Sequence, residues 1–109
     1  SKYYRQKPKV SPPEIELRKI LHKVYPTAFR INNYRPKWLR SSATGHKLEL
    51  DIAFPKLNIT YEYNGQEFHN LEKQKERDYE KYLLCEAHGY KLIIVDKFRL
   101  KKIKQYFHC

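Results

Sequence analysis

A chain of 109 residues has room for one hydrophobic core but not two, and an aromatic content of 15%, with ten tyrosines, excludes a disordered polar polymer. Lys and Arg number 23 against 12 acids, giving +11 and a pI near 9.7; such a surface is relieved of self-repulsion by a polyanion, so nucleic acid leads as partner, ahead of an anionic membrane surface and of a merely soluble basic surface. The pair Cys85 and Cys109 makes no disulfide framework and suits a reducing, intracellular setting (cytoplasm, nucleoid or nucleus), no apolar run nears the ~18 residues of a membrane span, and no signal peptide is evident.

Residues 1–10 (SKYYRQKPKV) read as a basic arm or linker, and Ser1 in place of an initiator methionine reads as the start of a domain cut from a longer chain. Residues 11–109 then form a single domain. Ser11 is placed to cap a helix, Pro12 suits its first position, and Glu14 completes an S-x-x-E capping box. Leu17, Ile20, Leu21 and Val24 follow at helical spacing, and Pro26 lies beyond the end. Residues Thr27 to Tyr34 suggest a short strand, and Arg35 to His46 a polar basic loop. HKLELDIAF alternates, with Leu48, Leu50, Ile52 and Phe54 on one face and Glu49, Asp51 and Ala53 on the other. Pro55 and Lys56 make a turn, after which Ile59, Tyr61 and Tyr63 alternate with Thr60, Glu62 and Asn64 to complete a hairpin. The charged stretch LEKQKERDYEKYLLCEAHG reads as a helix with a buried stripe of Tyr79, Leu83 and Ala87 and with Gly89 as a left-handed C-cap. YKLIIV reads as a central strand buried on both faces, and Asp96 caps a last basic helix. The order is α-β-β-β-α-β-α, an α/β fold with a mixed sheet flanked by helices.

The hairpin sets Asp51 and Glu62 almost opposite one another on neighbouring strands. Paired carboxylates repel unless a cation lies between them, and hard oxygen ligands of this kind suit Mg²⁺, with Mn²⁺ as a substitute. A metal there polarises a phosphate and lowers the pKa of an attacking water. The competing reading is that both acids solvate an exposed sheet face, with Lys47 and Lys56 as partners.

Beyond the acid pair, the stretch from Leu48 to Phe98, with its pattern D-x-x-x-P-x-x-N-I-x-x-E-Y-N-G-x-x-x-H followed by KERDYEKYLLCEAHGYKLIIV, resembles the very-short-patch-repair-like branch of the PD-(D/E)XK nuclease superfamily. That branch includes mismatch-nicking endonucleases and phage homing endonucleases with an E-D-H-D signature. With the SPPEIEL helix, the resemblance covers residues 11 to 98. It implies a restriction-endonuclease-like core, a Mg²⁺-dependent endonuclease or nickase acting on DNA in preference to RNA, and a phage or virus as one source of such a chain. On this resemblance Asp51 is the central metal ligand and Glu62 a second ligand or nearby base. His69, four residues after the glycine, is a general acid or base or holds the attacking water, as a group with pKa near ~6.5 can. Glu14 and Asp78 match the first and last acids of the signature. The superfamily lysine, two residues after Glu62, is here Asn64, which can position water or phosphate but carries no charge.

Each residue also has a plainer role. Glu14 can merely close its capping box, Asp78 can be a helix surface acid beside Lys81, His69 can bond a backbone carbonyl, and Asn64-Gly65 is a turn signal in any fold. Zinc at Cys85, His88, His108 and Cys109 is disfavoured because no C-x-x-C pair is present. Arg35, Lys37, Arg40 and Lys47, interleaved with Trp38, form the leading phosphate-binding loop, where Trp38 can stack on a splayed base. Lys101, Lys102 and Lys104 make a second basic patch, and Lys2, Arg5, Lys7 and Lys9 a third. A catalytically inactive nucleic-acid-binding module of the same fold is the alternative reading, with Asn64 its chief support, and a domain whose hairpin docks a protein is the third. Whether the chain works alone, as a homodimer or tethered to a specificity domain is open at this level.

Overall fold

The computed structural model describes residues 10–64 and 72–107. Among them the chain runs α1 (Pro12–Val24), β1 (Ile31–Tyr34), β2 (Leu50–Phe54), β3 (Ile59–Asn64), α2 (Glu72–Ala87), β4 (Lys91–Asp96) and α3 (Lys97–Phe107). This is the α-β-β-β-α-β-α order that the sequence implies. The four strands form one sheet in the order β1-β2-β3-β4, antiparallel except for the parallel β3–β4 pair. Most of residues 1–10, the expected arm, lie outside the described residues.

The local signals for the helix ends act as their chemistry dictates. Ser11 Oγ accepts from the Glu14 N–H at 3.4 Å, and prolines occupy the first turn of α1, where an absent N–H costs nothing. At the end of α2, Gly89 takes φ +80°, the Tyr90 N–H reaches the Cys85 carbonyl and the Gly89 N–H that of Glu86, which together make a Schellman cap. Asp96 Oδ1 accepts from the Arg99 N–H at 2.7 Å and starts α3.

Two cores lie on opposite faces of the sheet. On one, Leu17, Ile20 and Leu21 of α1 and Leu100 of α3 pack on Ile52, Phe54 and Val95. On the other, Cys85 of α2 packs with Leu39, Leu50 and Ala53. The strict alternation anticipated for β2 therefore breaks near Asp51: Ile52 and Phe54 join the α1–α3 core, whereas Leu50 joins the core under α2. The supposedly polar face is covered as well, since Ala53 and Thr60 are fully buried.

Four further expectations need correction. The first strand begins at Ile31 rather than Thr27. Val24 is 43% exposed, outside the stripe that Leu17, Ile20 and Leu21 define. On α2, Tyr79 and Leu83 are 63% and 43% exposed and Ala87 faces solvent, while Lys81, Leu84 and Cys85 turn toward the sheet. The sheet beneath carries a buried carboxylate, so the helix presents a cation to it and leaves tyrosine outside. Finally, β4 is an edge strand, not a central one, with Val95 buried and Ile94 39% exposed. Its run is apolar because Ile93 and Val95 meet the α1–α3 core while Leu92 meets the other core.

Candidate active site

The β2–β3 turn closes through Leu57 N–H to Phe54 O at 2.9 Å and Asn58 N–H to Pro55 O at 3.2 Å, with Asn58 in the left-handed region at φ 57°. Antiparallel pairing then runs from Phe54↔Ile59 to Ile52↔Tyr61, so the next residues outward, Asp51 and Glu62, face each other. At that point the carboxylates reach across to the opposite backbone. Glu62 Oε2 accepts from the Asp51 N–H at 2.8 Å, and Asp51 Oδ2 accepts from the Tyr63 N–H at 3.1 Å. Each acid is thus held by the strand that carries the other, and the alternative of two acids solvating an open sheet face does not describe them.

The residue that sequence reasoning missed is Lys81. It arrives from α2, where Asp78, Lys81 and Cys85 share one helical face. Its Nζ donates to Glu62 Oε1 at 2.9 Å and to the Glu49 carbonyl at 2.7 Å, with both ionic side chains largely buried. A signal was present: Lys81, Leu84, Cys85 and His88 recur at three- and four-residue spacing. The more apolar set of Tyr79, Leu83 and Ala87 competes with it in the sequence.

These groups line a cleft of about 420 Å³ whose walls include Glu14, Asp51, Glu62, Asn64, Asp78 and Lys81. The fold therefore brings Glu14, Asp51, Glu62, Asn64 and Asp78, five of the six residues given catalytic roles from the sequence, to one cleft. His69, the remaining one, lies outside the described residues, as does Gly65. Only the Ser11 half of the expected capping box is seen: Ser11 caps the Glu14 N–H, while the Glu14 carboxylate accepts from Arg18 Nη2 at 3.0 Å at the cleft wall. Arg18 also reaches Asn33 Oδ1 at 3.5 Å.

Burial and crowding of like charge dominate the electrostatics. The Asp51 carboxyl is pushed up to about 7, first by burial and then by the Glu62 and Glu14 carboxylates, with the Tyr63 N–H and Lys81 acting in the opposite direction. Burial also raises Glu62, against the pull of the Lys81 ammonium and the Asp51 N–H. Among the described residues no group of three or more His, Cys, Asp or Glu is gathered closely enough to cage a metal ion. Mg²⁺ does not need such a cage, because it keeps several waters and leans on one or two carboxylates plus substrate oxygens. The donor set at hand, hard oxygens whose mutual repulsion a divalent cation relieves, fits that ion.

The basic loop is an ordered feature. Arg40 and Lys47 form an isolated antiparallel bridge, Arg40 Nη1 donates to the Gly45 carbonyl at 2.9 Å, and the Ser42 N–H donates to Glu80 of α2 at 2.9 Å. The loop is thereby fastened to the helix that supplies Asp78 and Lys81. Arg35, Lys37, Arg40 and Lys47 are exposed, Arg35 lying 3.5 Å from Glu49. Trp38 is half-buried, stacked on His88 with ring centroids 4.2 Å apart and tilted against Tyr90 at 5.5 Å. One face of its ring is already covered by protein, so stacking on a base there would require His88 to move. The zinc alternative gains nothing: Cys85 is buried with its thiol pushed up to about 11, and His88 Nδ1 contacts the Leu84 carbonyl at 3.0 Å. His108 and Cys109 lie outside the described residues.

Comparison with known proteins finds viral relatives. The chain is 34% identical over 95 residues to "Uncharacterized protein 033L" of Invertebrate iridescent virus 3, a match covering 75% of this chain and 47% of that protein. It is 32% identical over 114 residues to "Uncharacterized protein 094L" of Frog virus 3 (isolate Goorha), covering 94% of this chain and 72% of that protein. The chain thus spans about half the length of the first relative. No family model and no solved structure matches it. No described helix is long and apolar enough to cross a membrane.

Proposed function

The chain belongs to the family of Frog virus 3 uncharacterized protein 094L, and we propose that it acts as a Mg²⁺-dependent endonuclease or nickase, on DNA in preference to RNA, with a restriction-endonuclease-like core. The observation that carries this reading is Lys81 Nζ, 2.9 Å from Glu62 in a cleft walled by Asp51, Glu14 and Asp78. It supplies from α2 the positive charge that Asn64 cannot supply from β3. The resemblance to the very-short-patch-repair-like nucleases, the element order and a net charge of +11 support the same reading.

Each group then has a task. Asp51, with Glu62 and Glu14 beside it, would hold Mg²⁺, or Mn²⁺ in its place, and the bound ion would draw charge from a phosphate oxygen and acidify an attacking water. Glu62 spends one oxygen on the Asp51 N–H and the other on Lys81, so its first effect is to fix the ligand strand and aim the ammonium into the cleft. Lys81 stabilises negative charge developing on the phosphate, in a site where partial burial strengthens the interaction. Asn64 and Asp78 orient water or phosphate oxygens at the rim. His69 carries the proton-transfer role that the resemblance implies. The exposed cations Arg35, Lys37, Arg40 and Lys47 steer the backbone toward the cleft without reading sequence.

The engagement of both Glu62 oxygens favours a second reading, a module that binds nucleic acid without turning it over. One assay separates the two. Supercoiled plasmid incubated with the protein is converted to nicked circles in Mg²⁺ or Mn²⁺ and left intact in EDTA, and Asp51→Ala and Lys81→Met abolish conversion. Conversion that persists undiminished in Asp51→Ala refutes the assignment, and binding without conversion in any divalent ion supports the module.

A further inference from the structure

A second groove opens beside the cleft, along the seam between α1 and α3. It encloses about 600 Å³, and its walls include Pro13, Tyr63, Lys97, Leu100, Lys101 and Lys104. Tyr63 lines both cavities, while its backbone N–H holds Asp51 at 3.1 Å. The groove therefore begins within one residue of the central carboxylate. At its far end Lys104 clasps Glu16 at 3.0 Å across the two helices, and a hollow of about 310 Å³ continues past that pair to Lys19 and Lys23. Among the described lining residues these two hollows bring together Lys97, Lys101, Lys19 and Lys23 with the Lys104–Glu16 pair. From Glu14 to Lys23 the path follows nine residues of helix, ~13 Å at 1.5 Å per residue.

The lining distinguishes among polyanions. A duplex offers phosphates to a protein surface and keeps its bases stacked inside, so an apolar floor gives it nothing. This groove has apolar lining, in the half-buried Pro13 and Tyr63 beside the almost wholly buried Leu100, beneath a rim of ammonium groups. Aromatic and apolar surface for unpaired bases, with cations for the phosphates alongside, is the composition that holds single strands.

We propose that the α1–α3 groove binds a single-stranded nucleic-acid segment adjoining the bond placed in the cleft, so that the preferred substrate carries an unpaired arm. The part of this that concerns cleavage rests on the nuclease reading above; the binding does not. Lys97 and Lys101 contact phosphates of the unpaired arm, and Tyr63 stacks on the base nearest the cleft. The duplex portion lies toward the basic loop of Arg35, Lys37, Arg40 and Lys47.

The test is fluorescence anisotropy in EDTA, where no turnover intrudes. The probes are labelled oligothymidylate of about 12 nucleotides, within the usual single-strand site size, and a hairpin duplex with no unpaired arm. Lys97→Ala/Lys101→Ala weakens oligothymidylate binding at least tenfold and lowers the slope of log affinity against log salt by about 1.4, from ~0.7 per single-strand phosphate contact. Duplex binding changes by less than about twofold, the level of an indirect effect. Lys102→Ala, which removes one exposed charge from α3 outside the groove, serves as the control for charge loss, compared with Lys97→Ala and Lys101→Ala singly, and leaves the preference for the single strand unchanged. A melting curve confirms that the double variant is folded. Equal losses for both probes, or the same loss from Lys102→Ala, overturn the proposal. Plasmid nicking that is inert in every metal, beside lysine-dependent single-strand binding, removes the nuclease reading and leaves the groove; nicking with no groove dependence does the reverse.

Discussion

The crowding of Asp51 makes a quantitative prediction about stability. In the unfolded chain its carboxyl titrates near 3.8, and in the folded protein it is pushed up to about 7 by burial and by Glu62 and Glu14. The folded state therefore binds more protons than the unfolded state between those values. Stability falls as pH rises through that window, and the penalty is complete above about 7. Three pH units at 1.36 kcal/mol each set a ceiling of about 4 kcal/mol, and water in the open cleft screens part of it, leaving roughly 1–3 kcal/mol. Asp51→Asn keeps an oxygen for the Tyr63 N–H and removes the charge. Metal-free Asp51→Asn is accordingly more stable than the parent at about pH 8, with a melting temperature higher by about 4 °C or more for a chain of this size. The advantage shrinks as pH falls from about 7 toward 3.8 and vanishes only well below 3.8, where the parent carboxyl is protonated in both states. Mg²⁺ raises the melting temperature of the parent at about pH 8 and leaves that of Asp51→Asn unchanged. Differential scanning fluorimetry across pH, with and without Mg²⁺, reads all three effects. A variant less stable than the parent at about pH 8, or an advantage that does not vary with pH, refutes the reasoning.

Other consequences follow from the same geometry. Lys81→Met strands the buried Glu62 carboxylate and costs about 3 kcal/mol in urea unfolding, and adding Glu62→Gln restores most of it because the lone charge is gone; an additive double variant contradicts the coupling. In a Cys109→Ser background, the Cys85 thiol reacts with a disulfide reagent only on unfolding, being buried and pushed up to about 11, so its labelling rate tracks denaturant; rapid labelling of native protein contradicts the packing of α2. Gly89→Ala costs about 1 kcal/mol, measured by chemical denaturation, because φ +80° strains any side chain although no atom lies within 4 Å of the added Cβ. No loss at Gly89 would mean that the cap relaxes.

What the sequence disclosed and what it hid divide along the range of the interactions. Ser11, Pro12, Gly89 and Asp96 act on backbone groups a few residues away, so the ends of the helices could be read directly. The facing of Asp51 and Glu62 followed from alternation and a short turn, which are also local. The rotation of α2 was not local: Tyr79 and Leu83 look apolar enough to be buried, and only the carboxylate on the sheet below explains why Lys81 is turned inward instead. The same blindness affects β4, whose apolar run reflects two helical layers above and below while its place in the strand order is an edge. It affects Trp38 too, whose stacking on His88 joins residues fifty positions apart. The break in alternation at Leu50 has the same origin, since it depends on which core each side chain meets.

The claim on which the rest depends is that a divalent cation sits against Asp51. A crystal soaked in Mn²⁺ and measured for anomalous scattering locates it directly. A peak is expected ~2.1 Å from an Asp51 carboxylate oxygen, the Mg²⁺–oxygen distance, and is absent from Asp51→Asn. Full-occupancy Mn²⁺ elsewhere on the protein, with none in the cleft, contradicts it.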